Sequence, residues 1–239
     1  MSEKKLVITG SGIKSLAHLT EESKAAICQA EIVLYLVNET ITSSWIENNA
    51  IKCESLETIY FSETFRRDSY KKIVDRILNC LTQFERVCVV VYGHPMLLSN
   101  SIEHLINKID RKKVEVTILP GISSFDCLIA DLEIDPYNGC LSIEASELIN
   151  KSKVLDPTNH LIIWQVGIIG DEFSKHDPGH SCIDPLKVKL LETYELDHQC
   201  IFYEASLYPH IPSKKINSLI SRMDQIPISR LTTLYVPPV

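Results

Sequence analysis

The apolar positions of this chain fall into short unbroken runs, and the stretches between them carry a helical period. Residues 6–9, 32–37, 87–92 and 114–119 are such runs, rich in Val, Ile and Leu, which predicts strands buried on both faces. Between them, Thr20 opens a helix reaching to about residue 30, with Glu21 and Glu22 in the first turn, where the helix dipole favours acids. Residues 69–81 set Ile73, Ile77 and Cys80 on one side of a second helix, and 101–109 read as a third. Pro120-Gly121 breaks the rhythm. Beyond it the pattern predicts helix 124–131, strand 161–165, helix 185–194, strand 200–203, helix 213–223 and strand 232–236. Unbroken strands alternating with helices describe an α/β protein with mainly parallel sheet covered on both faces. The break divides the chain near residue 118, into an N-terminal α/β domain over 1–118 and a C-terminal one over 119–239. Residues 171–184 hold Asp-Pro twice, Gly179, His176 and His180, and read as a long loop of functional interest.

Composition narrows the classes. The 239 residues suffice for one large core or two smaller ones, and 45% hydrophobic with 23% charged residues is ordinary for a globular protein. No apolar run reaches the roughly 18 residues that span a bilayer, and the N-terminal MSEKKLVITG starts a strand rather than a signal peptide. A soluble, cytoplasmic protein with no membrane partner is the expectation. The eight cysteines are scattered with no C-x-x-C pair, which points to reduced thiols and to no metal site. A net charge of −7 counts against a nucleic-acid partner, and the Arg111-Lys112-Lys113 cluster reads as a solvated turn.

Three motifs follow strands, where α/β sheets bind ligands. Gly10-Ser11-Gly12 turns tightly and bares its backbone, yet lacks the third glycine and the acidic strand end of a dinucleotide fingerprint. Tyr92-Gly93-His94-Pro95 sets a glycine and a histidine after the third run; by itself it is equally an ordinary strand-to-helix loop. In Leu119-Pro120-Gly121-Ile122-Ser123-Ser124, either serine can cap the next helix, and that helix start can also receive a ligand carboxylate.

Taken in order, these motifs resemble the tetrapyrrole-methylase (class III) S-adenosylmethionine-dependent methyltransferases over nearly the whole chain. The resemblance implies two α/β domains with the cofactor cleft between them. It also implies a cofactor set of Gly10, Tyr92, His94, Leu97, Leu98 and Ser123, joined by Gln165, Tyr203, Ala205, Thr232 and Thr233 on the adenosine side. S-Adenosyl-L-methionine is the implied cofactor and S-adenosyl-L-homocysteine its product.

TIYFSETFRRDSY, YGHP, DPTNHLIIWQ and TTLYVPP further resemble the borosin-type peptide backbone α-N-methyltransferases, and most of all their split form, whose precursor peptide is a separate protein. That likeness implies catalytic Tyr60, Arg66 and Tyr70, with Arg67 as the neighbouring alternative to Arg66. If Arg66 lies in the first helical turn, it shares a face with Tyr70 four residues on, and a guanidinium beside phenols suits proton removal from an amide. The bland alternative is a Tyr-Arg surface pair on a solvated helix. The chain stops at Val239 with no tail to serve as its own substrate, so the expectation is a separate precursor acted on in trans. The resemblance also implies a homodimer, or a heterotetramer with the precursor. Trp45 is a candidate grip on that partner or a packing residue. The competing functions are a small-molecule, tetrapyrrole-like methyltransferase and a non-catalytic cofactor-binding partner protein.

Overall fold

A computed structural model describes residues 4–151, 153–174 and 182–239. The chain forms two compact units, one running to Cys127 with the addition of Leu207–Ile211, the other comprising Leu128–Ser206 and Pro212–Val239.

The first unit holds a wholly parallel five-stranded sheet of β1 (Lys4–Gly10), β2 (Ile32–Leu36), β3 (Cys53–Ser55), β4 (Arg86–Val91) and β5 (Val114–Leu119), in the order β3-β2-β4-β1-β5. Helices α1 (Glu21–Gln29), α2 (Thr40–Asn49), α3 (Glu57–Tyr60), α4 (Arg66–Gln83) and α5 (Asn100–Lys108) join the strands, and α6 (Ser124–Leu132) follows β5. Because side chains alternate along a strand, each apolar run feeds two cores. Ile32, Leu34, Val87 and Val89 pack with Ile73 and Ile77 of α4 and Ile102 and Leu105 of α5. Val33, Tyr35, Cys88 and Val90 pack with Ile27 of α1 and Ile46 of α2. Each such fully buried aliphatic side chain contributes about 1.5–3 kcal/mol. Trp45 lies against this second core, which is the packing alternative named for it.

In the second unit, β6 (Cys140–Glu144), α7 (Ala145–Asn150), β7 (His160–Trp164), α8 (Asp184–Leu190), β8 (Gln199–Glu204), β9 (Lys214–Leu219) and β10 (Thr233–Val236) form a five-stranded sheet in the order β6-β7-β10-β8-β9, with its helices on one face. The two-sheet α/β architecture is as expected. The mainly parallel pairing holds only for the first sheet, since β10 is antiparallel to both β7 and β8, and β9 antiparallel to β8. The expected helix 213–223 is strand β9 followed by a 3₁₀ turn, Ile220–Gln225. Its apolar residues Ile216, Leu219, Ile220 and Met223 have helical spacing, but pairing from Gln199↔Leu219 to Glu204↔Lys214 overrides it.

Of the expected loop 171–184, residues 175–181 with both histidines, the first Asp-Pro and Gly179 lie outside the described residues. Asp184 and Pro185 open α8, where a fixed proline φ suits the first turn. Among the described residues no helix is long and apolar enough to cross a membrane.

Candidate active site

Three glycines meet at the carboxyl ends of β1, β4 and β5. A Cβ on Gly10 would lie 2.0 Å from the Gly93 carbonyl oxygen and 3.0 Å from the Gly121 Cα; one on Gly121 would lie 2.4 Å from the same oxygen. Gly12 and Gly93 exchange backbone hydrogen bonds of 3.2 and 3.0 Å, both with left-handed φ (74° and 71°). His18 closes the loop after β1, its Nδ1 accepting from the Lys14 amide at 3.1 Å and the Ile13 amide at 3.4 Å. The result is close backbone packing without intervening side chains, at the end where a parallel sheet receives ligands. A recess at this end is lined by Gly12, Lys14, Asn38, Glu39, Thr42 and Tyr92.

The other first-unit residues singled out from the sequence surround this point in the chain. Burial pushes the Tyr92 phenol well above its ordinary pKa, so it stays neutral. His94 Nδ1 accepts from the Met96 amide at 3.1 Å, and the Leu97 amide donates to the His94 carbonyl at 3.1 Å. Leu98 is left-handed at φ 54°, a conformation uncommon for a branched side chain and associated with functional loops. Ser123 is the cap of α6: its amide and hydroxyl donate to Asp126 Oδ2 at 2.7 and 2.6 Å, and its Oγ accepts from the Asp126 amide at 3.2 Å. This is a capping box, so the Ser123 amide serves the helix.

In the second unit, register gathers the remaining candidates at one end of three neighbouring strands. Thr233 at the start of β10 pairs with Tyr203 near the end of β8, and Leu234 pairs with Ile163 just before the end of β7. Gln165 follows β7 directly and is left-handed at φ 60°. Tyr203 is buried and its hydroxyl donates to Asp131 Oδ2 at 2.7 Å. Ala205 is half-buried, while Thr232 and Thr233 are buried.

Tyr60, Arg66 and Tyr70 lie in the first unit. Tyr60 ends α3 and packs against the core beneath α4. Arg66 is the first residue of α4, so Arg66 and Tyr70 share a face one turn apart. The Tyr60 and Tyr70 ring centroids are 6.1 Å apart, with the planes tilted by 42°. Arg66 is half-buried, whereas the Arg67 side chain is 74% exposed and leans toward Asp68. Of the two arginines, Arg66 is the more buried.

Residues 5–162 match the tetrapyrrole (corrin/porphyrin) methylases. The chain belongs to that family. Among its curated relatives is a methyltransferase/ribosomally synthesized type II borosin cyclic peptide precursor of Phlebiopsis gigantea, 33% identical over 98% of this chain and 43% of that protein. A type I counterpart from Gymnopilus junonius is 34% identical over 98% of this chain and 57% of its own length. The chain thus spans about half the length of the curated relatives it matches. The solved uroporphyrin-III-C-methyltransferase of Thermus thermophilus shares the fold, with a TM-score of 0.68 at 14% identity over 99% of this chain and 93% of that one. So does the cobalamin biosynthesis precorrin-6Y methylase of Archaeoglobus fulgidus, at a TM-score of 0.64 and 17% identity over 98% of both chains.

Glu204, between the candidates Tyr203 and Ala205, is a functional residue that sequence reasoning missed. Its Oε1 accepts from Thr232 Oγ1 at 2.6 Å and Ser229 Oγ at 2.9 Å. Burial would raise its carboxyl, but these hydrogen bonds and the Lys214 charge outweigh it and hold the group below the ordinary range. The available signal was an acid placed directly after an apolar strand run.

Proposed function

We propose that this chain transfers methyl groups from S-adenosylmethionine to backbone amide nitrogens of a peptide carried on a separate precursor polypeptide. The carrying observation is the cluster of two phenols with centroids 6.1 Å apart and a guanidinium one helical turn from the second. Family membership and the borosin methyltransferase relatives support methyl transfer to a peptide, although those relatives carry methyltransferase and precursor in one chain.

A backbone amide nitrogen is a weak nucleophile because its lone pair is delocalised into the carbonyl. Methylating it requires loosening the N–H proton while negative charge gathers on the amide oxygen. The oxygen of Tyr60 or Tyr70, in its phenolate form, accepts that proton and becomes the neutral phenol. Arg66 is permanently charged and planar, and it hydrogen-bonds the developing imidate oxygen. When bound, S-adenosylmethionine supplies an electrophilic methyl group and leaves as S-adenosylhomocysteine.

The residues present fit such a cofactor. Gly10, Gly93 and Gly121 bring the ends of β1, β4 and β5 into direct backbone contact with no side chain between them, and the two left-handed residues Leu98 and Gln165 sit in the segments assigned to it. Its contacts in this reading are Gly10, Tyr92, His94, Leu97, Leu98 and Ser123 in the first unit, and Gln165, Tyr203, Ala205, Thr232 and Thr233 in the second. Tyr92, kept neutral by burial, supplies a hydrogen bond rather than a base. The working assembly is a cytoplasmic homodimer engaging its precursor.

A competition assay tests the substrate class. The protein is incubated with S-adenosylmethionine and either a candidate precursor peptide or an anionic tetrapyrrole, and release of S-adenosylhomocysteine is followed. Release with the peptide alone is expected; release with the tetrapyrrole alone contradicts the reading.

A further inference from the structure

The residues between Ser229 and Thr232 form a tight turn whose two side-chain hydroxyls both reach one carboxylate. The Ser229 amide donates to Thr232 Oγ1 at 2.8 Å, the Thr232 amide to the Ser229 carbonyl at 3.1 Å, and the Leu231 amide to Ser229 Oγ at 3.1 Å. Each hydroxyl has one proton to give, and both protons go to Glu204 Oε1. Lys214, paired with Glu204 across β8 and β9, lies 3.4 Å from the same oxygen. On another side the turn rests on Gly167, where a Cβ would lie 1.8 Å from the Ser229 carbonyl oxygen. Gly167 is two residues past left-handed Gln165. One turn therefore links the end of β7, the end of β8 and the start of β10.

We propose that Glu204 is a positioning residue for S-adenosylmethionine, acting through Thr232 to hold the Ser229–Thr232 turn against the ends of β7 and β8. The inference rests on the proposed cofactor role of Gln165, Tyr203, Thr232 and Thr233. The Glu204 carboxylate keeps its charge because its surroundings favour the ionised form, and charge-assisted bonds to it are the strong ones in the turn. Its side chain is only 18% exposed, so water replaces those bonds poorly.

Calorimetry of S-adenosylhomocysteine binding tests the link with Glu204→Ala, Thr232→Val and their double variant. Each single substitution weakens binding about tenfold, the loss of one hydrogen bond to a charged group. The double variant binds no more weakly than the weaker single one, because both remove the same contact. Thr232→Ser, which keeps the hydroxyl, recovers most of the loss seen with Thr232→Val. Should Glu204→Ala fail to fold, near-isosteric Thr232→Val and its serine rescue carry the test. Wild-type affinity in Thr232→Val, or losses in the two singles that multiply in the double, overturn the positioning role. Wild-type protein that fails to bind S-adenosylhomocysteine overturns the cofactor reading itself, and the positioning role with it.

Discussion

Gly10 stands so close to Gly93 that a methyl group on residue 10 would sit 2.0 Å from the Gly93 carbonyl oxygen. The obstacle is backbone, held in place by the Gly12–Gly93 bridge, so it has no rotamer by which to retreat. Gly10→Ala is expected to lose about 3 kcal/mol of stability through overpacking. Gly93→Ala meets only the Ile13 Cδ1 at 3.4 Å, and its penalty of about 1–2 kcal/mol comes from the left-handed φ alone. Urea denaturation of both variants checks the order; a Gly10→Ala midpoint above that of Gly93→Ala contradicts it.

Tyr70→Phe is expected to leave S-adenosylhomocysteine affinity near wild type while turnover falls by about 10²–10⁴-fold, the range for loss of general acid–base catalysis. Arg66→Lys keeps a charge but loses the planar donor set, and is expected to lower turnover rather than cofactor affinity. Arg67→Ala, at an exposed side chain, should change turnover by about twofold or less. Single-turnover rates with a methyl-accepting peptide separate these effects, and undiminished turnover in Tyr70→Phe removes that tyrosine from the site.

His18 ties the loop after β1 by accepting with Nδ1, which only the neutral ring can do. Burial, aided by the Lys14 charge and opposed by Asp126, holds its pKa below the ordinary 6.5. The unfolded chain therefore binds the proton more readily. The His18 contribution to stability is fully present above 6.5 and is lost as the pH falls through the lower folded value. Urea midpoints compared between about pH 7.5 and pH 5.5 should fall more in the wild type than in His18→Gln. Equal falls contradict the assignment.

Tyr203→Phe removes the donor that satisfies Asp131 Oδ2. A loss of about 1–2 kcal/mol is expected for a part-buried bond to a carboxylate. Thermal melts of the variant check it, and an unchanged midpoint shows that solvent satisfies Asp131 instead.

Legibility from sequence followed burial. Strands β2 and β4 were plain because both of their faces enter cores, turning IVLYL and RVCVVV into almost unbroken apolar runs. Strand β3 has three residues, CES, at the sheet edge, and leaves no such trace. Helix α2, TITSSWIENN, buries only Thr42 and Ile46 and is capped by a glutamate, Glu39, so neither period nor cap announced it. Strand β9 was hidden by apolar positions that also fit a helix, and only pairing with β8 decides between them. The glycine motifs were readable one by one, but the meeting of Gly10, Gly93 and Gly121 is a property of strand order. The Glu204–Thr232 contact joins residues 28 apart, which no local pattern links.

The central claim is methylation of peptide backbone nitrogen. Its most direct test is intact-mass spectrometry of a candidate precursor protein after incubation with the wild-type chain and S-adenosylmethionine, followed by fragmentation. Added methylene masses that localise to backbone amides, and that disappear with Tyr70→Phe, are the predicted result. An unchanged precursor mass beside a methylated small-molecule substrate, or methyl groups found only on side chains, would contradict it.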